Sequence, residues 1–153
     1  MRLATVVRHD TMTKQTPHTA AEPSERRRIL VIDHDDEIRQ AACTQLRQWG
    51  FDAIGERDGL SGLARLTHAT ATNEFCGMLL EMDMPVLGGM AVLQEMKDRH
   101  PSVPVIVMAR TPHIDKLRNA VKMWAQEYLV KPYDPELLKL KCASVFSERR
   151  RRM

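Results

Sequence analysis

Four apolar runs in this 153-residue chain give way to short segments that carry most of its candidate chemistry. Ile29-Leu30-Val31-Ile32 is followed by Asp33, His34 and Asp35, and Met78-Leu79-Leu80 by Glu81 and, two residues on, Asp83. Val103–Met108 gives way to Ala109 and Arg110, and Tyr128-Leu129-Val130 to Lys131. Carboxylates offer oxygen ligands to hard cations, imidazoles suit transition metals, and a lysine ammonium is a compact point charge. Such groups act together only if the segments before them lie side by side and end at one edge. The cysteines (Cys43, Cys76 and Cys142) are odd in number and have no CxxC spacing. That argues against a disulfide framework or a zinc site, and for a reducing compartment.

The positioning elements are readable from periodicity. Arg28–Ile32 is a β-branched run closed by Asp33, the pattern of a buried strand. Asp35 is placed to cap a helix whose apolar residues Ile38, Ala42, Leu46 and Trp49 recur at helical spacing until Gly50 stops it. Phe51–Ile54 reads as a second strand, and Leu60, Leu63, Ala64 and Leu66 as a second helix. A third strand at Met78–Leu80 leads through the loop Met84–Gly89 to a helix marked by Met90, Leu93 and Met96. Val103–Met108 is a fourth strand, with Ile114, Leu117, Val121 and Trp124 on the helix after it. Tyr128–Val130 is a fifth strand; Pro132 breaks the chain, and Leu137, Leu138, Cys142 and Val145 mark the last helix. Five strand–helix pairs in alternation imply an α/β fold, a doubly wound parallel sheet with helices on both faces. Right-handed crossovers favour the flavodoxin-like (βα)5 order 2-1-3-4-5, with the site at the strand C-termini beside the switch point.

Hydrophobic residues make up 43% of the chain and charged residues 28%, which suits a packed core. The longest apolar runs are far shorter than the roughly 20 residues that span a bilayer. No apolar stretch of about 7–15 residues follows the N-terminal charges, so neither a membrane anchor nor a secretory signal is expected and the location read is cytoplasmic. Residues 1–27, rich in Thr, His, Pro and Arg, read as a flexible leader, 28–148 as the folded domain, and 149–153 as a basic tail. Of the net charge of +3, the leader carries +2 and the tail +4, leaving −3 on the domain. A nucleic-acid-binding domain needs a basic face within the fold, so Arg149–Arg152 is the sole, weak pointer to such a partner.

Three stretches together resemble the receiver domain of response regulators (CheY-like) in two-component signalling. They are Ile29–Asp35, the segment Leu79-Leu80-Glu81-Met82-Asp83-Met84-Pro85-Val86-Leu87-Gly88-Gly89, and Tyr128-Leu129-Val130-Lys131-Pro132-Tyr133. The resemblance spans about residues 28–147 and implies a phosphorelay role. In that family a histidine kinase phosphorylates an aspartate after strand three. Two acids after strand one bind Mg²⁺, a Ser or Thr after strand four bonds the phosphoryl group, and a lysine contacts it. Here Asp33 and Lys131 match, while Glu81 holds the phospho-acceptor position, His34 the second acid's and Ala109 the hydroxyl's. Tyr128 matches the switch aromatic. Imidazole is a poor Mg²⁺ ligand, so Asp33 is at most a weak metal residue and no cofactor is expected. Asp35 could swing in, but capping is its simpler role.

The longer Glu81 side chain pushes its carboxylate about 1 Å or more toward the site mouth, and a displacement of ~1 Å can cost about 10²-fold in rate. Its fixed charge makes it a partial mimic of a phosphorylated residue, or else it pairs with Lys131 in a partly buried cleft open to water. Arg110 either reaches Glu81 or points into solvent. The resulting expectation is a stand-alone pseudo-receiver, not an enzyme, acting by protein–protein contact. Its partners would be a histidine kinase, a separate output protein, or a second copy through the face of the fourth helix, fifth strand and fifth helix. The rivals are a working acceptor using Glu81 or the exposed Asp83 with Mg²⁺, and a nucleic-acid-associated regulator using the arginine tail.

Overall fold

A strand that is apolar on both faces needs cover on both faces, and each strand here runs into a helix that supplies it. The computed structural model describes residues 27–69 and 75–147. In chain order these form β1 (Arg28–Ile32), α1 (Asp36–Gln48), β2 (Asp52–Glu56), α2 (Gly59–Thr67), β3 (Phe75–Glu81) and α3 (Gly89–Arg99). Next come β4 (Val105–Arg110), a 3-10 turn (Thr111–His113), α4 (Ile114–Met123), β5 (Glu127–Lys131) and α5 (Pro135–Ser147). The strands make one parallel sheet in the order β2-β1-β3-β4-β5, as the alternation predicts. Ile32 lies beside Leu80, Glu81 beside Met108, and Arg110 beside Lys131. The residues that end β1, β3 and β5 therefore share one edge.

Alternation along the strands sorts the core into two layers. Leu30, Ile32, Met78, Leu80 and Val107 pack with Val92, Leu93 and Met96 of α3. Ile29, Val31, Leu79, Ile106 and Met108 pack with Leu46 of α1 and Phe146 of α5 on the other face. Gly77 belongs to this second contact: a Cβ there would lie 2.3 Å from the Phe146 ring.

Asp35 caps α1, its side chain accepting from the Ile38 amide at 3.1 Å, and Asp58 does the same for α2 through Ser61 at 2.7 Å. Gly50, at φ +90°, takes the left-handed conformation after α1 as the sequence indicates. Several boundaries differ from the sequence reading for local reasons. The Phe51 amide still donates to Leu46 in the helix, at 3.0 Å, so the β2 ladder starts at Asp52. β4 starts at Val105, since Pro104 has no amide and Val103 is tied into a turn with His100. β3 starts three residues earlier than the apolar core of its run, because Phe75, Cys76 and Gly77 are buried too. Arg27, read as leader, joins the folded body. Its carbonyl accepts from Asp52 at 2.9 Å and its guanidinium lies 4.6 Å from the centre of the Phe51 ring. Residues 1–26 of the leader and the tail 149–153 lie outside the described residues. Among the described residues no helix is long and apolar enough to cross a membrane.

Gly89 is where α3 presses closest to the site strand. A Cβ there would stand 2.6 Å from the Met82 Cα and 2.7 Å from the Glu81 carbonyl oxygen, both backbone atoms unable to move aside. Gly89→Ala is therefore expected to cost about 1–3 kcal/mol as an overpacking strain. Gly88→Ser, with open space around it, should be neutral or add a few tenths of a kcal/mol as a better N-cap, to about that precision. Urea melts of the two variants beside the parent protein check this contrast.

Candidate functional site

Lys131, the last residue of β5, reaches past the end of β4 to the carboxylates that terminate β1 and β3. Its Nζ lies 2.5 Å from Asp33 Oδ2 and also donates to Glu81 Oε2. The three side chains are almost wholly removed from water, at 0% exposure for Asp33, 2% for Glu81 and 4% for Lys131. The remaining carboxylate oxygens have partners as well. Asp33 Oδ1 accepts from the Asp35 amide at 3.0 Å, and Glu81 Oε1 from the Asp83 amide at 3.2 Å. Removing each ion from water costs several kcal/mol, so full pairing and hydrogen bonding are what make the cluster tenable. The sequence reading brought Glu81 and Lys131 together correctly but placed them in a half-open cleft. Instead the Glu81 side chain folds inward to the ammonium, since its extra methylene lets it follow the counter-charge rather than project to the mouth.

The neighbouring positions surround this triad without entering it. His34 is about half exposed, with Nδ1 4.0 Å from Asp33 Oδ1. Asp35 stays in its cap, and Arg110, two-thirds exposed, approaches Asp35 Oδ2 at 3.9 Å and not Glu81. Ala109 is fully buried in the layer with α3 and offers no hydroxyl. Asp83, expected to be exposed, is about one-quarter exposed because α4 covers it. Lys116 donates to its Oδ1, His113 Nδ1 lies 3.8 Å away, and its Oδ2 has no hydrogen-bond partner. Tyr128 points outward at 41% exposure, with Lys141 Nζ 4.6 Å from its ring centre.

Three supporting residues escaped the sequence reading. Arg39 donates to the Asp33 carbonyl at 2.8 Å and to Asp36 at 2.6 Å; the i, i+3 spacing of Asp36 and Arg39 was a signal that could have found it. Tyr133 sits close enough to Asp33 that its phenol is pushed up to about 12, by burial first and then by the Asp33 charge. Lys116 left no local signal, because its partner is 33 residues away.

Asp33, His34 and Glu81 each have a possible ligand atom within 4.8 Å of the others. The set does not fit the Mg²⁺ that the family resemblance implies. One donor is a nitrogen, both carboxylates already share an ammonium, and Mg²⁺ asks for near-ideal oxygen octahedra.

Comparison with known proteins bears on the fold and the family. The family described as response regulator receiver domain matches residues 29–143. The transcriptional regulatory protein QseB of Haemophilus influenzae is 31% identical over 106 residues, covering 69% of this chain and 46% of that protein. The transcriptional regulatory protein ZraR of Klebsiella oxytoca is 31% identical over 124 residues, covering 80% and 27%. This chain thus spans less than half the length of these curated relatives. Among solved structures, a response regulator receiver domain protein from Clostridium thermocellum superimposes with a TM-score of 0.76 at 28% identity, covering 83% of this chain and 99% of that one.

The depth of the triad sets the size of its mutational effects. Replacing Lys131 with Met leaves two buried carboxylates facing each other, and breaking a buried pair this way costs about 3–5 kcal/mol, against about 0–1 for an exposed one. Glu81→Gln keeps the shape and one acceptor and should cost clearly less. Chemical denaturation of both variants reads the difference, and a loss below about 1 kcal/mol in Lys131→Met would mean the cluster contributes little.

Proposed function

Since this chain belongs to the response-regulator receiver family, we propose that it serves two-component signalling as a pseudo-receiver, a docking domain that takes no phosphoryl group. The observation that carries this reading is the Lys131 ammonium seated between Asp33 and Glu81. Phosphoryl transfer needs an acceptor oxygen free to attack in line, and cations to neutralise the charge that develops. Glu81 has both oxygens engaged by donors, and the ammonium already occupies the space between the acids. Ala109 supplies no hydroxyl to hold a transferred group. Asp83, proposed above as a substitute acceptor, has one oxygen bound by Lys116 and the other, Oδ2, buried away from the surface. In this reading the protein is not an enzyme, needs no Mg²⁺ and works in the cytoplasm, with the Glu81–Lys131 pair holding one fixed state.

Receiver domains engage kinases or output domains, so the working part is a contact surface. The surface of α4, β5 and α5 supports that role. Ile114 and Val121 on α4, Tyr128 on β5, and Leu137 and Leu140 on α5 are all exposed, and Leu140 is 68% so. Five of the eight large hydrophobic side chains exposed among the described residues thus lie on these three consecutive elements, the others being Leu60, Val86 and Met90. A histidine kinase, an output protein or a second copy could each use this surface.

Incubating the full chain with Mg²⁺ and acetyl phosphate, or with a histidine kinase, and weighing it by intact mass tests the reading. No added phosphate is expected. Glu81→Asp alone should not restore fast labelling, since His34 and Ala109 still lack the oxygen donors. Calorimetric titration should find Mg²⁺ binding weaker than about 1 mM. Robust labelling of the parent chain overturns the proposal.

A further inference from the structure

β5 is an edge strand of the sheet, and its exposed aromatic side chain is held by a residue of the helix that follows. We propose that Lys141 is a positioning residue that locks Tyr128 outward, giving the surface of α4, β5 and α5 a preset aromatic anchor. The purpose of the lock rests on the docking reading above; the lock itself stands on contacts within this chain.

A strand at a sheet edge leaves the amide and carbonyl of alternate residues without a neighbouring strand. At Tyr128 both groups are taken by side chains. Glu127 Oε1 accepts from the Tyr128 amide at 2.9 Å, and the Lys141 ammonium donates to the Tyr128 carbonyl. The same ammonium donates to Glu127 Oε1 at 3.0 Å and stands 4.6 Å from the centre of the Tyr128 ring. A lysine has three N–H donors; two are spent on these oxygens, and the charge lies over the face of the ring. The amide, carbonyl and ring of one residue therefore share a closed cluster with Glu127 and Lys141. Burial pushes the Glu127 carboxyl up, but the Tyr128 amide and then Lys141 more than offset it and hold it below the usual range. The cluster thus keeps its anion.

Lys141 stands one turn beyond Leu137 and beside Leu140, so the lock sits among the exposed apolar residues of this face. A ring free to turn about its first side-chain torsion loses that freedom when a partner covers it, and a ring already fixed does not. Tyrosine, with an apolar body and a polar tip, suits an interface anchor. Because both main-chain groups of Tyr128 are capped, a partner strand cannot pair there, and recognition falls to side chains. The lock uses none of Asp33, Glu81 and Lys131, so the anchor is set by α5 and not by events at the strand ends.

Tyr128 and Tyr133 are the two tyrosines of the chain, so tyrosine-selective isotope labelling reads them separately. Three-bond couplings to the ring carbon Cγ are measured by NMR on the full-length parent, Lys141→Met, Glu127→Gln and Lys139→Met. The parent is expected to show a single χ1 rotamer at Tyr128. Lys141→Met keeps the length of the stem but loses its charge and donors. In it the outward rotamer should fall about threefold relative to the others, moving the couplings to averaged values. Glu127→Gln, which weakens the hold on Lys141, should change in the same direction by less, and it serves if Lys141→Met does not fold. Lys139→Met removes an exposed charge from the same helix and should leave Tyr128 as in the parent. The proposal is overturned if Tyr128 already averages over rotamers in the parent, if neither Lys141→Met nor Glu127→Gln alters its couplings, or if Lys139→Met alters them as much. No partner and no phosphoryl donor enters the experiment, so its failure leaves the pseudo-receiver reading standing, and the failure of that reading leaves the lock standing.

Discussion

An ammonium held between two carboxylates, all three out of water, is the constraint on which the functional edge depends. Three strands, from widely separated parts of the chain, must finish at the same level for Lys131 to reach Asp33 and Glu81. The parallel register supplies that level, with Ile32 beside Leu80 and Arg110 beside Lys131. Because β4 lies between β3 and β5, the four-carbon stem of lysine is needed to cross its end. In return the triad penalises any slip of the strands, since displacing one charge would leave another buried and unpaired.

Around this centre the substituted positions act in the same direction. Glutamate in place of aspartate gives the acceptor strand a longer arm, and that arm turns to the lysine. Histidine in place of the second acid takes one negative charge from the cleft, so one ammonium and the backbone amides suffice for the two acids that remain. Alanine after β4 contributes a methyl group to the core instead of a hydroxyl to the site. On the proposed reading each change weakens phosphoryl chemistry, and each is compatible with a tightly paired cluster.

A second tier of contacts joins the cleft to the surface that the proposed function uses. The Asp83 amide donates to Glu81, and the Asp83 carboxylate accepts from Lys116 on α4. The loop after β3 thus bridges the buried triad and the first turns of α4. On the opposite side Arg39 holds the Asp33 carbonyl while its other nitrogen pairs with Asp36 in the first turn of α1. These exposed or half-exposed pairs add little stability singly, but they tie the helices to the strand ends.

The order and type of the elements, the parallel sheet and the residues at its C-terminal edge were legible in the sequence by itself. Apolar runs of strand length alternating with helical spacing permit few other folds, and strand ends name their own residues. The cap at Asp35 and the stop at Gly50 were legible because both are local. Depth and direction were not. That Glu81 is sealed in, that Asp83 lies under Lys116, that Arg110 turns to Asp35 and that Arg27 is part of the fold all depend on partners far away along the chain. Burial is a property of what packs around a group, and the choice among counter-charges is made by distance in space. Only the tertiary structure sets either one.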